Sequence, residues 1–267
     1  MELIIDYRDP WNDFNEPFEI GDERNEYERN LEKECLKAVD KVITVSEFQK
    51  ALILKNEPNS APVYVVPNGF DFEDYQSNIR QKEPSDKIRL IHFGTLHYRK
   101  DYYWIPFLNA LKRIKIKHPA LCSKLAVEFV GYCPDQVTNY IAELDLDVKL
   151  HGILDPFKAY SELNQADIAL WFKYDGSPGD FATKFGDYIA LKKFIWTFSK
   201  PGEVTDYIAA NKIGKVFYRN DENLEQTIYE ALLGVESVEN RTFNPDYNPS
   251  SLSIESLTEE LLEVLCK

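Results

Sequence analysis

Thr183-Lys184-Phe185-Gly186-Asp187-Tyr188-Ile189-Ala190-Leu191-Lys192-Lys193-Phe194-Ile195-Trp196 reads as the opening of a helix, a short polar turn and an apolar strand. Lys184 and Asp187 carry opposite charge three positions apart and therefore share a helix face. A lysine near a helix start faces anions, and a carboxylate one turn on can accept hydrogen bonds from sugar hydroxyls. A surface ion pair on a core helix fits the same two residues, and taken alone it is the commoner arrangement.

Working outward, the helix-turn-strand unit repeats. Strands fit Ile88–Phe93, Ala126–Val130, Val148–Leu150, Ile168–Phe172, Phe194–Phe198 and Lys215–Tyr218. Helices fit Tyr103–Lys117, Asp135–Leu144, Pro156–Asn164, Thr183–Leu191, Glu203–Ala210 and Asn223–Leu233. Strict alternation at these lengths means a parallel sheet with helices on both faces, an α/β fold. Asp155-Pro156 marks a helix start, an acidic cap followed by proline at the first helical position. Nearer the N-terminus, β-rich runs at Leu3–Tyr7, Val42–Val45 and Val63–Val66 alternate with helical stretches at Tyr27–Val39 and Glu47–Lys55, the second capped by Ser46. The polar segment Asp71–Lys87 reads as a linker or exposed excursion. The expected organisation is an N-terminal α/β portion with linker over 1–82, a Rossmann-like domain over 83–240, and over 241–267 a tail and amphipathic helix packing back on the N-terminal portion.

The 267 residues suffice for one large or two modest domains. Hydrophobic residues at 44% argue against disorder. A net charge of −14 leaves no broad basic surface for nucleic acid. It leaves room for a small anionic ligand, because basic residues concentrate locally at Arg99-Lys100 and Arg113–His118. The four cysteines show no metal-ligand spacing and read as reduced packing residues of a cytoplasmic protein. Neither a signal peptide nor an apolar run of membrane-spanning length is present, which leaves only peripheral membrane contact.

In Ile91-His92-Phe93-Gly94-Thr95-Leu96-His97-Tyr98-Arg99-Lys100-Asp101, glycine ends a strand at the edge where open α/β sheets bind ligands. Arg99 and Lys100 then stand near a helix N-terminus, which already favours anions. Cations there could stabilise a departing diphosphate without a metal. A loop that merely turns strand into helix explains the same residues equally well, and neither GxGxxG nor a P-loop ending occurs. Gly176–Asp180 is a second glycine-containing loop, leading into the Lys184 helix. His92 reads as a core or cleft-edge histidine, and His97 as a loop residue that nothing positions. No histidine spacing suggests a metal. Arg8-Asp9 at the end of the first strand either lines a cleft or pairs locally.

Taken in order, Asp6–Trp11, Ala38–Glu47, Val66–Asp71, His92–Leu96 with Lys100, Phe129–Gly131, Ala166–Leu170 and Lys184–Ala190 make the chain resemble glycosyltransferase family 4, the group 1 glycosyltransferases of the GT-B fold. The resemblance covers nearly the whole chain. It implies retaining transfer of a sugar from a nucleotide-diphosphate sugar to an acceptor, typical of polysaccharide or glycoconjugate synthesis, with no metal and no cofactor. Gly94 matches the phosphate-side glycine, Lys100 the lysine on the donor diphosphate and Asp187 the acid, usually glutamate, on the donor ribose. Ile153 and Leu154 fall where the family holds the base. Thr95 replaces the usual arginine after the loop glycine, with Arg99 a possible substitute. The first acid of the family's paired-acid motif falls at Gly179, beside Asp180. On this reading Lys100 and Lys184 are catalytic, and Gly94, Thr95, Arg99, Ile153, Leu154, Asp180 and Asp187 bind substrate. Family members carry further strands before the Arg-Asp-Pro-Trp segment, so the resemblance implies a donor half with a truncated acceptor half. A second chain could supply the missing part. The alternative is a non-catalytic nucleotide-sugar-binding or assembly subunit.

Overall fold

The computed structural model describes residues 2–9, 11, 22–76, 79–98, 102–173, 181–218 and 223–266. The chain divides into two compact units: Met1–Gly69 with Gly179–Thr183 and Ser250–Lys267, and Phe70–Pro178 with Lys184–Pro249.

In the first unit, β1 (Ile4–Asp6), β2 (Lys41–Thr44) and β3 (Val63–Val65) form a parallel sheet in the order β1-β2-β3. Successive side chains of β2 point to opposite faces. Val42 meets Leu36 of helix α1 (Asp22–Ala38) and Ile53 of α2 (Glu47–Asn56). Ile43 meets Leu257 and Val264 of the chain's last helix, α11 (Ile254–Leu265). Ser46 caps α2 as its sequence suggests, its Oγ accepting from Gln49 N at 3.1 Å. Arg8 pairs locally: its Nε donates to Asp6 at 3.0 Å and its Nη1 to Asn68 Oδ1 at 3.1 Å. Asn68 in turn donates to the Phe181 carbonyl at 3.2 Å.

The second unit opens with a short helix, α3 (Glu73–Gln76), and then builds six parallel strands. They are β4 (Ile88–Phe93), β5 (Leu125–Val130), β6 (Val148–Gly152), β7 (Ile168–Phe172), β8 (Phe194–Phe198) and β9 (Gly214–Phe217). Between and after them come α4 (Trp104–Lys117), α5 (Pro119–Cys122), α6 (Asp135–Ala142), α7 (Pro156–Gln165), α8 (Thr183–Ala190), α9 (Glu203–Asn211) and α10 (Leu224–Gly234). The strand order is β6-β5-β4-β7-β8-β9. The chain therefore builds outward from β4 to β6, then returns to lay β7 on the other side of β4. That reversal makes β4 and β7 the topological switch point, where ligands of such sheets bind beyond the carboxyl ends.

The core explains the near-continuous apolar strands. Leu90, Phe129, Phe172 and Phe198 pack with Trp104, Phe107 and Leu111 of α4 on one face. On the other, Trp171 packs on Phe185 and Tyr188 of α8. Both faces of the sheet are covered, so alternation is lost and the strands read as apolar runs.

Within the polar segment, residues 80–83 are hydrogen-bonded to the second unit. Arg80 N donates to Ser161 Oγ at 3.3 Å, Gln165 Nε2 donates to the Gln81 carbonyl at 2.7 Å, and Lys82 pairs with Asp167 at 2.8 Å. Its polar composition thus supplies partners for the polar side of α7 as well as for water.

Lys193, in the turn before β8, is buried and donates to the Asn164 and Ala166 carbonyls at the end of α7, at 2.7 and 3.3 Å. Burial, reinforced by Lys82, pushes its pKa down to about 7 from 10.5, with Asp167 opposing. Between these values the unfolded chain holds a proton that the folded chain has lost, so stability rises with pH through that window. Denaturant melts across the window should show wild type gaining stability relative to Lys193→Met as pH rises. A pH-independent difference between the two would show that Lys193 stays charged when folded.

Candidate functional site

The site is built at the carboxyl ends of β4, β5 and β6 and on the first turns of α8. β4 and β7 stay paired as far as His92 and Leu170. Beyond that pair the strands part, and Tyr188 bridges the opening. Its buried hydroxyl accepts from Phe93 N at 3.1 Å and donates to the Leu170 carbonyl at 3.2 Å. One turn earlier on the same helix face, Lys184 Nζ donates to the Phe93 carbonyl at 2.9 Å. Helix α8 is thereby fastened across the switch point by residues four apart.

Gly94 follows β4 with φ 113°, in the left-handed region that favours glycine. A Cβ there would stand 3.3 Å from Lys184 Nζ, so the lysine's ammonium lies directly over the glycine backbone. Gly131, after β5, has φ 133°, and a Cβ on it would fall 2.5 Å from the Gly94 carbonyl oxygen. The loops are also hydrogen-bonded in series: Gly94 N to the Val130 carbonyl and Gly131 N to the Gly152 carbonyl, both at 2.9 Å. The result is a close-packed backbone edge with the Lys184 ammonium above it.

Asp187 is three residues beyond Lys184. Its Oδ1 accepts a 2.5 Å hydrogen bond from the Tyr75 hydroxyl. Burial raises the Asp187 pKa, with Asp74 adding to the rise while Tyr75 and Lys184 oppose it. His92 is fully buried, with Nδ1 2.9 Å from the Leu170 carbonyl and no hydrogen-bond partner for Nε2. Burial and the neighbouring Lys184 push its pKa well below the usual histidine value, so it is a neutral core residue that donates through Nδ1. His97 turns its carbonyl to Trp104 Nε1, at 3.0 Å.

Beside the glycine edge lies a groove of about 540 Å³ lined by Gly131, Tyr132, Cys133, Leu150, His151 and Ile153, among others. Ile153 and Tyr132 are 77% and 56% exposed, so both offer apolar surface to a flat ligand. Leu154 lies next along the chain, outside that lining. Tyr132, directly after Gly131, has no mark in the sequence that sets it apart from the chain's other tyrosines. Thr95 is partly buried beside Gly94. Arg99, Lys100 and Asp180 lie outside the described residues.

Under this groove, Glu128 accepts two hydrogen bonds from Arg89, at 2.7 and 2.8 Å, and a contact from His151 Nε2 at 2.6 Å. Burial alone would raise the Glu128 pKa, but Arg89 and His151 outweigh it and hold the carboxyl below its usual range. Glu128, His151 and Glu162 could by proximity ligate a metal ion. The Arg89 guanidinium already pairs with both carboxylates, donating to Glu162 at 2.7 Å as well as to Glu128. A larger hollow of about 1020 Å³ lies at the opposite, amino-terminal edge of the sheet, lined by Lys82, Asp167, Lys193 and Arg241 among others. Its charges are largely matched, as in Lys82–Asp167 and Lys124–Glu236, and it is remote from the switch point.

No protein-family model matches the chain, and no curated protein matches it in sequence. Solved structures do match. HepE of Anabaena, in complex with UDP and glucose, is similar over 90% of this chain and 67% of its own, with TM-score 0.67 and 14% identity. Sucrose-phosphate synthase from Thermosynechococcus elongatus is similar over 92% and 63%, again with TM-score 0.67 and 14% identity. The pneumococcal O-GlcNAc transferase GtfA, in complex with UDP and GlcNAc, is similar over 90% and 47%, with TM-score 0.64 and 12% identity. The chain thus spans roughly half to two thirds of the length of these structures. At such identities the likeness shows the fold, which is α/β and GT-B-like, with a Rossmann-like parallel sheet.

Proposed function

We propose that the second unit holds the nucleoside diphosphate of a sugar donor, and that the chain is the donor-binding part of a retaining, metal-independent glycosyltransferase. The observation that carries this reading is Lys184, its ammonium poised over Gly94 at the end of β4, one turn before the half-buried carboxylate of Asp187. A diphosphate on the glycine edge would draw Lys184 from the Phe93 carbonyl and gain charge-assisted hydrogen bonds. As the bond between the sugar and the diphosphate breaks, its electron pair moves to a phosphate oxygen, where Lys184 and Lys100 stabilise the charge. Arg99 adds a cation on the same loop. Asp187 accepts from the ribose hydroxyls, and Ile153, Leu154 and Tyr132 hold the base. Thr95, next to Gly94, would meet the diphosphate, and the sequence resemblance adds Asp180 as a substrate-binding residue.

The similar structures with UDP in their complexes support this reading. No helix among the described residues is long and apolar enough to cross a membrane.

Isothermal titration with uridine, guanosine and cytidine diphosphates tests the reading. Saturable binding of one of them without added metal is the expected result, and no binding of any would overturn it. Donor hydrolysis or transfer by the bound protein distinguishes an enzyme from a subunit that only binds.

A further inference from the structure

Asp187 is matched by a residue outside its own helix and far from it in sequence. Tyr75, on α3, reaches it across 112 positions with a hydroxyl donating to Oδ1 at 2.5 Å. The ring of Tyr75 is fixed by aromatic neighbours, with centroids 4.7 Å from Tyr160 of α7 and 6.2 Å from Phe70. Burial and the negative charge of Asp187 raise the Tyr75 pKa, so its phenol stays protonated and is always the donor.

Among the described residues, the groups facing Asp187 are Tyr75 and Asp74 from α3, Tyr160 from α7 and Lys184 from its own helix. Asp74 disfavours a second negative charge, while Lys184 and Tyr75 favour it. Lys184 is the group a diphosphate would recruit, so in the loaded site the Tyr75 hydroxyl remains to support the carboxylate. A hydrogen bond to Oδ1 also fixes the plane of the carboxylate and leaves Oδ2 for a ligand hydroxyl.

We infer that Tyr75 is the positioning residue for Asp187, holding the carboxylate oriented and ionised for the ribose diol of a nucleoside diphosphate. This rests on the ribose role proposed for Asp187. It also places segment 70–76 in the donor-binding machinery of the second unit.

Tyr75→Phe keeps the ring packing and removes only the donor. The test is affinity against pH for the tightest binder among uridine, guanosine and cytidine diphosphates, measured on wild type, Tyr75→Phe and Asp187→Asn. In Tyr75→Phe the acid limb should move to higher pH, with affinity about tenfold weaker on the limb and recovering above it. Asp187→Asn should bind weakly at all pH and lack the limb. A Tyr75→Phe limb coincident with wild type overturns the inference, even if the variant melts lower, because a merely structural tyrosine would not move the limb. Wild-type affinity and limb in Asp187→Asn would instead overturn the ribose role. Absence of binding to wild type would overturn both.

Discussion

Gly131→Ala is expected to destabilise the protein by about 3–5 kcal/mol and to abolish nucleotide binding. Two penalties add. The residue has φ 133°, which an L side chain rarely adopts, and the new Cβ would stand 2.5 Å from the Gly94 carbonyl oxygen. Neither loop can step aside freely, because Gly94 N is bonded to the Val130 carbonyl and Gly131 N to the Gly152 carbonyl. Relief must come from pushing Gly94 outward, into the space beneath Lys184. Gly152→Ala is the internal control. Its φ is 70° and a Cβ would meet nothing within 4 Å, so only the backbone penalty of about 1 kcal/mol remains. Equal stability of the two variants in denaturant melts would show that the close contact between loops is absent in solution.

Lys184→Met is expected to weaken nucleoside diphosphate binding by roughly tenfold to a hundredfold, and to reduce turnover further. The methionine keeps the aliphatic stem and removes the charge. Without ligand, the ammonium donates to the Phe93 carbonyl, and losing that bond costs about 1 kcal/mol. With a diphosphate, the lost bond is charge-assisted and the ligand's negative charge goes uncompensated. The variant should therefore melt close to wild type yet bind poorly. Titration and melting on the same preparation separate a lost ligand contact from a damaged fold. Wild-type affinity in Lys184→Met would remove the lysine from the site.

The sheet was legible because its strands are buried on both faces. Ile88–Phe93, Ile168–Phe172 and Phe194–Phe198 have the bounds their apolar runs suggest. Helix α7 begins after Asp155 as the Asp-Pro pair dictates, with Asp155 Oδ1 accepting from Lys158 N at 3.1 Å. Gly94, Lys184 and Asp187 could be picked out individually, since strand-end glycines and charges on a helix's opening turns have local signatures.

What was not legible depends on pairings with no local mark. Tyr188 reads as one more core aromatic of an amphipathic helix, and only the parting of β4 and β7 reveals its hydroxyl as a bridge. Tyr75 lies in a polar stretch whose composition suggests a linker, and its partner is 112 residues away. His151 carries no local mark of a partner, and its side chain is buried against Glu128 of the neighbouring strand. Arg8 could be read as lining a cleft or pairing locally, and the structure pairs it with Asp6 and Asn68.

The most direct measurement is a crystal structure of the chain with a bound nucleoside diphosphate. The diphosphate should lie on the Gly94–Gly131 edge within hydrogen-bond distance of Lys184 Nζ, with the ribose at Asp187 and the base in the groove beside Tyr132 and Ile153. A ligand at the opposite edge of the sheet, among Lys82, Lys193 and Arg241, would contradict the switch-point site.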